Sequence, residues 1–474
     1  MNKKVQLAYV SAFLLICAAP LACMPFFKSD ENAENRKLSE MPSLVSDGSI
    51  NTSWGTEFET YFSEHFAFRS SLVTLDSLIK SKVFKTSSSD KVIVGSDGWL
   101  YYAETLPDYT GANAMSERKL YRTAKTLALM QEHFEADGRS FLFFCAPNKN
   151  SVYPEHMPAR YVKSSAPSNL ERLPRWLDEC GVNHLELLPI FRESDKRLYL
   201  TRDSHWTNEG ALIAYNAAAD ALGLEHNDLS SCPHHTETVW HADLDGMLFP
   251  SYEVLSDQEI FEKESTFEYS GIFTGEDDIL IKTRSGSSGG NLLMYRDSFG
   301  RAFYPYAAEN AEKACFSRET PYRTSLADDI DAECVILEIV ERNLEKLTSS
   351  APYMTSPSRA MNFSSSVKKS EENSCTTSLK NNTLRIYGSL DPVYFADDSD
   401  IFVTLETDGA IYGFEAFPIF EAELLEADSD SDFGYSVSID TTAIPPANYE
   451  VYAYVKTGDK YICTAPLAEI TIGE

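Results

Sequence analysis

The run Leu292-Leu293-Met294-Tyr295 is apolar at every position and stops abruptly at Arg296-Asp297-Ser298-Phe299-Gly300. A strand without polar alternation must bury both of its faces, so it belongs inside a parallel sheet covered by helices on each side. The charged and small residues that follow predict a turn from strand into a helix or helical turn. A serine there stands exposed at the strand's carboxyl end. Backbone N–H groups of such a turn, Ser298's included, are suited to stabilising an oxyanion. Similar segments at Val92 to Val94, Phe141 to Phe144 and Val335 to Leu337 alternate with helical stretches such as Glu117 to Phe134. That is the order of an α/β core.

A second motif, Asp203-Ser204-His205-Trp206, supplies what Ser298 lacks. In an extended backbone the side chains of Asp203 and His205 project to the same side, and that of Ser204 to the other, so one carboxylate can hold one ring nitrogen. Thr207 is suited to cap a helix running through Ala211, Leu212, Ala214 and Ala217, which sets His205 just before a helix start. Nucleophile, base and orienting carboxylate together point to acyl transfer. Each motif also has an ordinary reading: Asp-Ser-Phe as a turn, Asp-X-His as a surface hydrogen bond.

Candidate substrate contacts cluster near these motifs. Pro147-Asn148-Lys149 follows a strand end, where α/β sheets form their ligand crevice, so Asn148 or Lys149 is a candidate for binding the acyl oxygen or a sugar. An ordinary turn with a solvated lysine fits equally. Trp206, Tyr304 and Tyr306 are candidates for a sugar-stacking platform, although aromatics beside such a motif more often serve internal packing. Lys149, Arg160, Arg296 and Arg301 are candidates for a local basic groove in an otherwise acidic chain.

The net charge of −31 argues against nucleic-acid binding, which needs a basic face, and at long range it repels a polyanionic glycan. A neutral or cationic acceptor is favoured. Lys3-Lys4 precede an apolar stretch from Val5 to Phe27, long enough to cross a bilayer at ~1.5 Å per residue. The basic residues on its amino side orient the remainder outside the cytoplasm. A retained membrane anchor is the expectation, with a cleaved signal, hence secretion, as the alternative. Nine cysteines include no CxxC, and the Cys232, His234, His235 and His241 spacing fits no common structural zinc site. No metal is expected. Cys375 and Cys463 bracket the last domain and are the pair best suited to a disulfide.

At 474 residues and 43% hydrophobic content, the chain is long enough for at least two domains. The expected division is an anchor or signal over 1–27, an arm and helix packing on the catalytic domain over 28–90, and a catalytic α/β domain over 91–347. A Ser-, Pro- and Lys-rich linker over 348–375 then leads to an antiparallel β-sandwich over 376–474, of Ig-like or carbohydrate-binding type. Phe58, Tyr61, Phe62 and Phe66 form an aromatic stripe suited to core packing. Asp428, Asp430 and Asp432 are read as a solvated acidic turn in preference to a calcium site.

Read in order, Glu34 to Pro42 (ENRKLSEMP), Phe58 to Arg69 (FETYFSEHFAFR), Val92 to Tyr102 (VIVGSDGWLYY), Pro147 to Pro158 (PNKNSVYPEHMP), Asp203 to Trp206, Arg296 to Gly300 and Val335 to Leu344 (VILEIVERNL) resemble the DHHW family. That family is similar to the SGNH-hydrolase-like alginate O-acetyltransferases of bacterial cell envelopes. The resemblance covers roughly Glu34 to Leu344. It implies a permuted SGNH-like α/β sandwich with Ser298 as nucleophile, His205 as general base and Asp203 as its partner. One departure is Ser204, where the family has its first His. The implied activity is O-acetyl transfer to a cell-surface or secreted polysaccharide, without a cofactor of the chain's own. The acyl group is expected from a membrane-bound O-acyltransferase partner. Alternatives are a carbohydrate esterase using the same residues and a non-enzymatic glycan-binding envelope-assembly protein.

Overall fold

A computed structural model describes residues 3–24, 26–27, 38–46, 48–229, 231–252, 255–360, 366–367, 370, 372–419 and 432–473. Its centre is a seven-stranded sheet in the order His184–Leu185, Ser140–Ala146, Cys334–Val340, Asn291–Tyr295, Lys313–Ser317, Leu280–Ser285, Phe267–Tyr269. The first five strands are parallel and the last two join antiparallel. The Asn291–Tyr295 strand is buried at every position in mid-sheet, as its unbroken apolar run requires.

Alternate side chains along these strands feed two separate cores. Leu142, Phe144, Leu292, Met294 and Ile336 face the helices Asn208–Leu222 and Gly300–Asn310. Phe141, Phe143, Leu293, Tyr295, Val335 and Leu337 face the helices Glu117–Ala136 and Asn169–Cys180. The result is a helix–sheet–helix sandwich, built by the period-2 alternation of a strand against apolar stripes on helices.

Downstream, the three strands Thr376–Lys380, Thr383–Ser389 and Gly434–Asp440 and a larger, mainly antiparallel sheet around Asp400–Thr407 and Ala447–Thr457 share a third core. This β-sandwich does not hang from a free linker. Ala351 and Met354 are buried in the core of the α/β unit, and Ser358–Arg359 pairs with the sandwich strand Ala410–Glu415. The Ser- and Pro-rich composition hid these apolar anchors. The two units are joined along the Glu117–Ala136 helix: Phe417 and Ile419 enter the α/β core. Arg122 Nε donates to the Pro418 carbonyl at 2.5 Å, and Lys125 pairs with Asp400 and Glu415.

The helix Lys3–Cys23 is apolar, exposed almost throughout and long enough to cross a membrane. The aromatic stripe differs from its expected use, since Phe58, Phe62 and Phe66 are half-buried and meet one another in succession, first tilted and then edge-on. None of the nine cysteines is in a disulfide, so Cys375 and Cys463 are not joined to each other. Asp428 and Asp430 lie outside the described residues, while Asp432 pairs with Arg122.

Candidate active site

Ser298 sits where the Asn291–Tyr295 strand ends, two residues before the Gly300–Asn310 helix. Asp297 fixes this turn. Its Oδ1 accepts the Phe299 N–H at 2.8 Å, and its Oδ2 accepts the Val340 N–H at 2.9 Å and Asn343 Nδ2 at 3.3 Å. The loop is thereby tied to the end of the neighbouring parallel strand. Gly300 is required by close approach, because a Cβ there would lie 2.6 Å from Arg296 Cβ. The Ser298 N–H has no acceptor among the described residues.

His205 bridges nucleophile and carboxylate. Its Nε2 lies 2.9 Å from Ser298 Oγ and its Nδ1 lies 2.7 Å from Asp203 Oδ1. The tautomer that satisfies both contacts has Nδ1–H donating to Asp203 and Nε2 accepting from the serine hydroxyl. The local backbone is a turn, not the extended stretch expected from the two-residue spacing. Asp203 Oδ1 also accepts the His205 backbone N–H at 2.9 Å, so the carboxylate folds back over the turn and meets the ring. Thr207 caps the Asn208–Leu222 helix through its bond from the Gly210 N–H.

Two residues from a distant segment complete the carboxylate's environment. Asp203 Oδ2 accepts the Trp240 indole N–H at 2.8 Å and the Asp243 backbone N–H at 2.9 Å. The Asp243 carboxylate itself lies 3.7 Å from His205 Nδ1 and takes hydrogen bonds from the Ser204 backbone and hydroxyl. Ser204 therefore turns toward this cluster and not away from it. Its hydroxyl supports the second carboxylate beside the imidazole. Trp240 and Asp243 had no signal in sequence spacing, because they lie almost forty residues beyond the motif and arrive only through the Asp243–Leu248 helix and the strand before it.

The charges are strongly coupled. Burial alone would raise the Asp203 pKa, but the charge and hydrogen bond of His205, with those from Asp243 and Trp240, hold it below the ordinary carboxylate range. Burial would lower His205, yet Asp203 and then Asp243 raise it above the usual histidine value, while Arg342 pulls it down. Asp243 is raised by burial and by the charge of Asp203. Arg342, half-buried at the end of the Cys334–Val340 strand, lies 5.4 Å from the rings of both Phe299 and Tyr102. It has no carboxylate partner among the described residues. Nothing in its own segment, Val335 to Leu344, marks this residue for the site.

Most candidate substrate contacts are internal. Lys149 is buried, and its Nζ donates to the carbonyls of Leu100, Leu200, Thr201 and Asp203 at 2.6–3.0 Å. It is a clamp under the Asp203 loop, and burial lowers its pKa to about 7. Asn148 is also buried, bonding Asp108 and, through its backbone, Glu341. Trp206 packs against Phe191 and Phe299 and donates to the Phe299 carbonyl, so it forms no exposed platform. Arg296 is buried against Tyr304 and donates to the Glu276 carbonyl. Tyr306 donates to the Asn208 carbonyl and exposes only an edge, to a neighbouring cavity. The expected basic groove does not assemble: Arg301 is held by Asp277, and Arg160 lines a separate cavity with Lys82 and Lys85.

Residues 92–255 match the family model described as SGNH hydrolase-like domain, acetyltransferase AlgX. The matched stretch holds Asp203, His205, Trp240 and Asp243. A curated relative, the probable alginate O-acetylase AlgJ of Pseudomonas fluorescens, is 22% identical over 228 residues, which is 47% of this chain and 53% of the relative. The chain thus spans about half the length of that protein. Among solved structures, Bacillus cereus PatB1 aligns with a TM-score of 0.43 at 11% identity over 53% of this chain and 96% of that one. A DHHW family protein from Eubacterium siraeum aligns with a TM-score of 0.37 at 14% identity over 47% and 88%.

Proposed function

Because residues 92–255 match the model of an SGNH hydrolase-like acetyltransferase domain and the chain is similar to an alginate O-acetylase, we propose that it is an O-acetyltransferase working outside the cytoplasm on hydroxyls of a cell-surface or secreted polysaccharide. The observation that carries this reading is the unbroken relay from Ser298 Oγ through His205 to Asp203, at 2.9 and 2.7 Å.

His205 Nε2 takes the Ser298 hydroxyl proton as Oγ attacks the acyl carbonyl of the donor. Asp203 and Asp243 stabilise the imidazolium. The oxyanion of the tetrahedral intermediate is met by the Ser298 N–H and the positive field of Arg342. Collapse expels the donor's leaving group, which takes the proton from His205. A sugar hydroxyl then gives its proton to His205 and attacks the acyl-serine, releasing the sugar ester and the free Ser298 hydroxyl. Esterase activity is the same cycle with water as the second nucleophile, so the acceptor decides the outcome.

The apolar helix Lys3–Cys23 supports a membrane anchor, and an anchored protein is placed to take its acyl group from a membrane-bound O-acyltransferase partner. The test incubates the protein with an activated acetyl ester and candidate oligosaccharides and separates the products by mass spectrometry. Acetylated sugar that disappears in Ser298→Ala is the expected result. Free acetate alone, at a rate no sugar alters, makes the protein an esterase. No turnover above that of Ser298→Ala rejects both.

A further inference from the structure

A cavity of about 610 Å³ opens beside the relay, between the hairpin of His234–His241 and Leu255–Phe261 and the helix Gly300–Asn310. Its walls are rich in rings: Trp240, Phe261, Phe267, Tyr269 and Tyr306. Two lining residues connect it to the chemistry. Trp240 is the residue whose indole donates to Asp203 at 2.8 Å, and Arg301 donates its backbone N–H to the Ser298 carbonyl at 3.2 Å.

The cavity's charges cancel. Lys263 pairs with Glu309, and Arg301 pairs with Asp277 at 2.6 Å and lies 3.6 Å from Glu276. Each cation that lines it is therefore already engaged by a carboxylate. A carboxylated sugar entering here would meet acidic neighbours and lose its hydration without gaining a free cation, which is unfavourable. An uncharged pyranose ring has the opposite balance: its C–H faces pack on aromatic rings and its hydroxyls reach the polar rim. Tyr269 is 40% exposed and Val239 41% exposed, so both present ligand-facing surface.

We propose that this aromatic cleft is the acceptor site and that it selects a glycan of uncharged rings, neutral hexose or N-acetylhexosamine, over a uronate polymer. The proposal rests on the acetyltransferase reading, and the experiment separates the two. Binding of neutral and uronate oligosaccharides to the Ser298→Ala protein is measured by calorimetry, where no chemistry occurs. Neutral oligosaccharides are expected to bind at least tenfold more tightly than uronates, and Tyr269→Ala and Val239→Asp, each added to Ser298→Ala, should weaken that binding tenfold or more. In the presence of Ser298, Tyr269→Ala should raise the KM for the sugar acceptor far more than the KM for a small ester. Uronates binding as tightly as neutral sugars, no sugar binding at all, or unchanged affinity in both cleft variants overturns the proposal. Neutral sugar binding that persists while the protein with Ser298 never acquires an acetyl group leaves the cleft intact and removes the acetyltransferase reading instead.

Discussion

Asp243 and Arg342 act on one imidazole with opposite sign: the Asp243 carboxylate lies 3.7 Å from His205 Nδ1 and raises its pKa, while the Arg342 guanidinium lowers it. His205 must be neutral to accept the Ser298 proton, so activity rises with pH through its folded pKa. Removing the carboxylate in Asp243→Asn should move this rising limb to lower pH, and removing the cation in Arg342→Gln should move it to higher pH. Arg342→Gln should also reduce kcat/KM by about 10–100-fold through loss of oxyanion stabilisation. The pH dependence of kcat/KM for a small acetyl ester measures both.

The supports of Asp203 should grade in strength. Asp203→Asn removes the charge that stabilises the imidazolium and should cost about 10²–10⁴ in kcat, with residual turnover remaining. Trp240→Phe removes one hydrogen bond to Oδ2 and leaves the charge, so about a tenfold loss is expected. Steady-state kinetics on the purified variants order the two; a Trp240→Phe effect as large as Asp203→Asn contradicts this division of roles.

Glu341 gives a stability signature separate from catalysis. Burial, with the nearby Asp108, raises its pKa to about 7 in the folded protein from an ordinary 4.5. A raised acid costs stability as pH climbs from the unfolded to the folded pKa, and the full cost applies above about pH 7, on the order of 3 kcal/mol. Glu341→Gln stays neutral and can keep accepting from the Asn148 N–H and Ser151 hydroxyl. Its melting temperature should gain on the wild type between pH 5 and pH 8, read by calorimetry across that range.

The site was legible where its residues are close in sequence. Ser298 and His205 stand in short motifs whose local backbone, a strand end and a helix cap, aims them toward one crevice. Trp240, Asp243 and Arg342 were illegible because they belong to segments that meet the motif only when the sheet is assembled. Lys149 and Trp206 were left between two readings for a different reason: after a strand end or before a helix start, sequence does not tell whether a side chain turns outward to solvent or inward, and both turn inward. The sheet could be read from the unbroken apolar runs of Phe141 to Phe144 and Leu292 to Tyr295. The join between catalytic domain and sandwich could not, since it depends on Arg118, Arg122 and Lys125, which look like solvated helix residues.

That join predicts the consequence of truncation. Arg118 is buried against the Ser399 and Asp397 carbonyls, and Lys125 is held by Asp400 and Glu415. Deleting residues after Leu347 strips these partners and exposes apolar surface that Phe417 and Ile419 cover. The shortened domain should melt well below the full chain, a loss of several kcal/mol, and lose small-ester turnover with its fold. An unchanged melting temperature for the catalytic domain contradicts this and restores an independent module.

The most direct test of the central claim is the identity of the acylated atom. The protein is mixed with an activated acetyl ester, quenched in acid during turnover, digested and mapped by mass spectrometry. One acetyl group on Ser298 is predicted, absent in Ser298→Ala and strongly reduced in His205→Ala, which lacks the base. Acetyl found on another residue at the same level in all three proteins contradicts the serine relay as the engine of this enzyme.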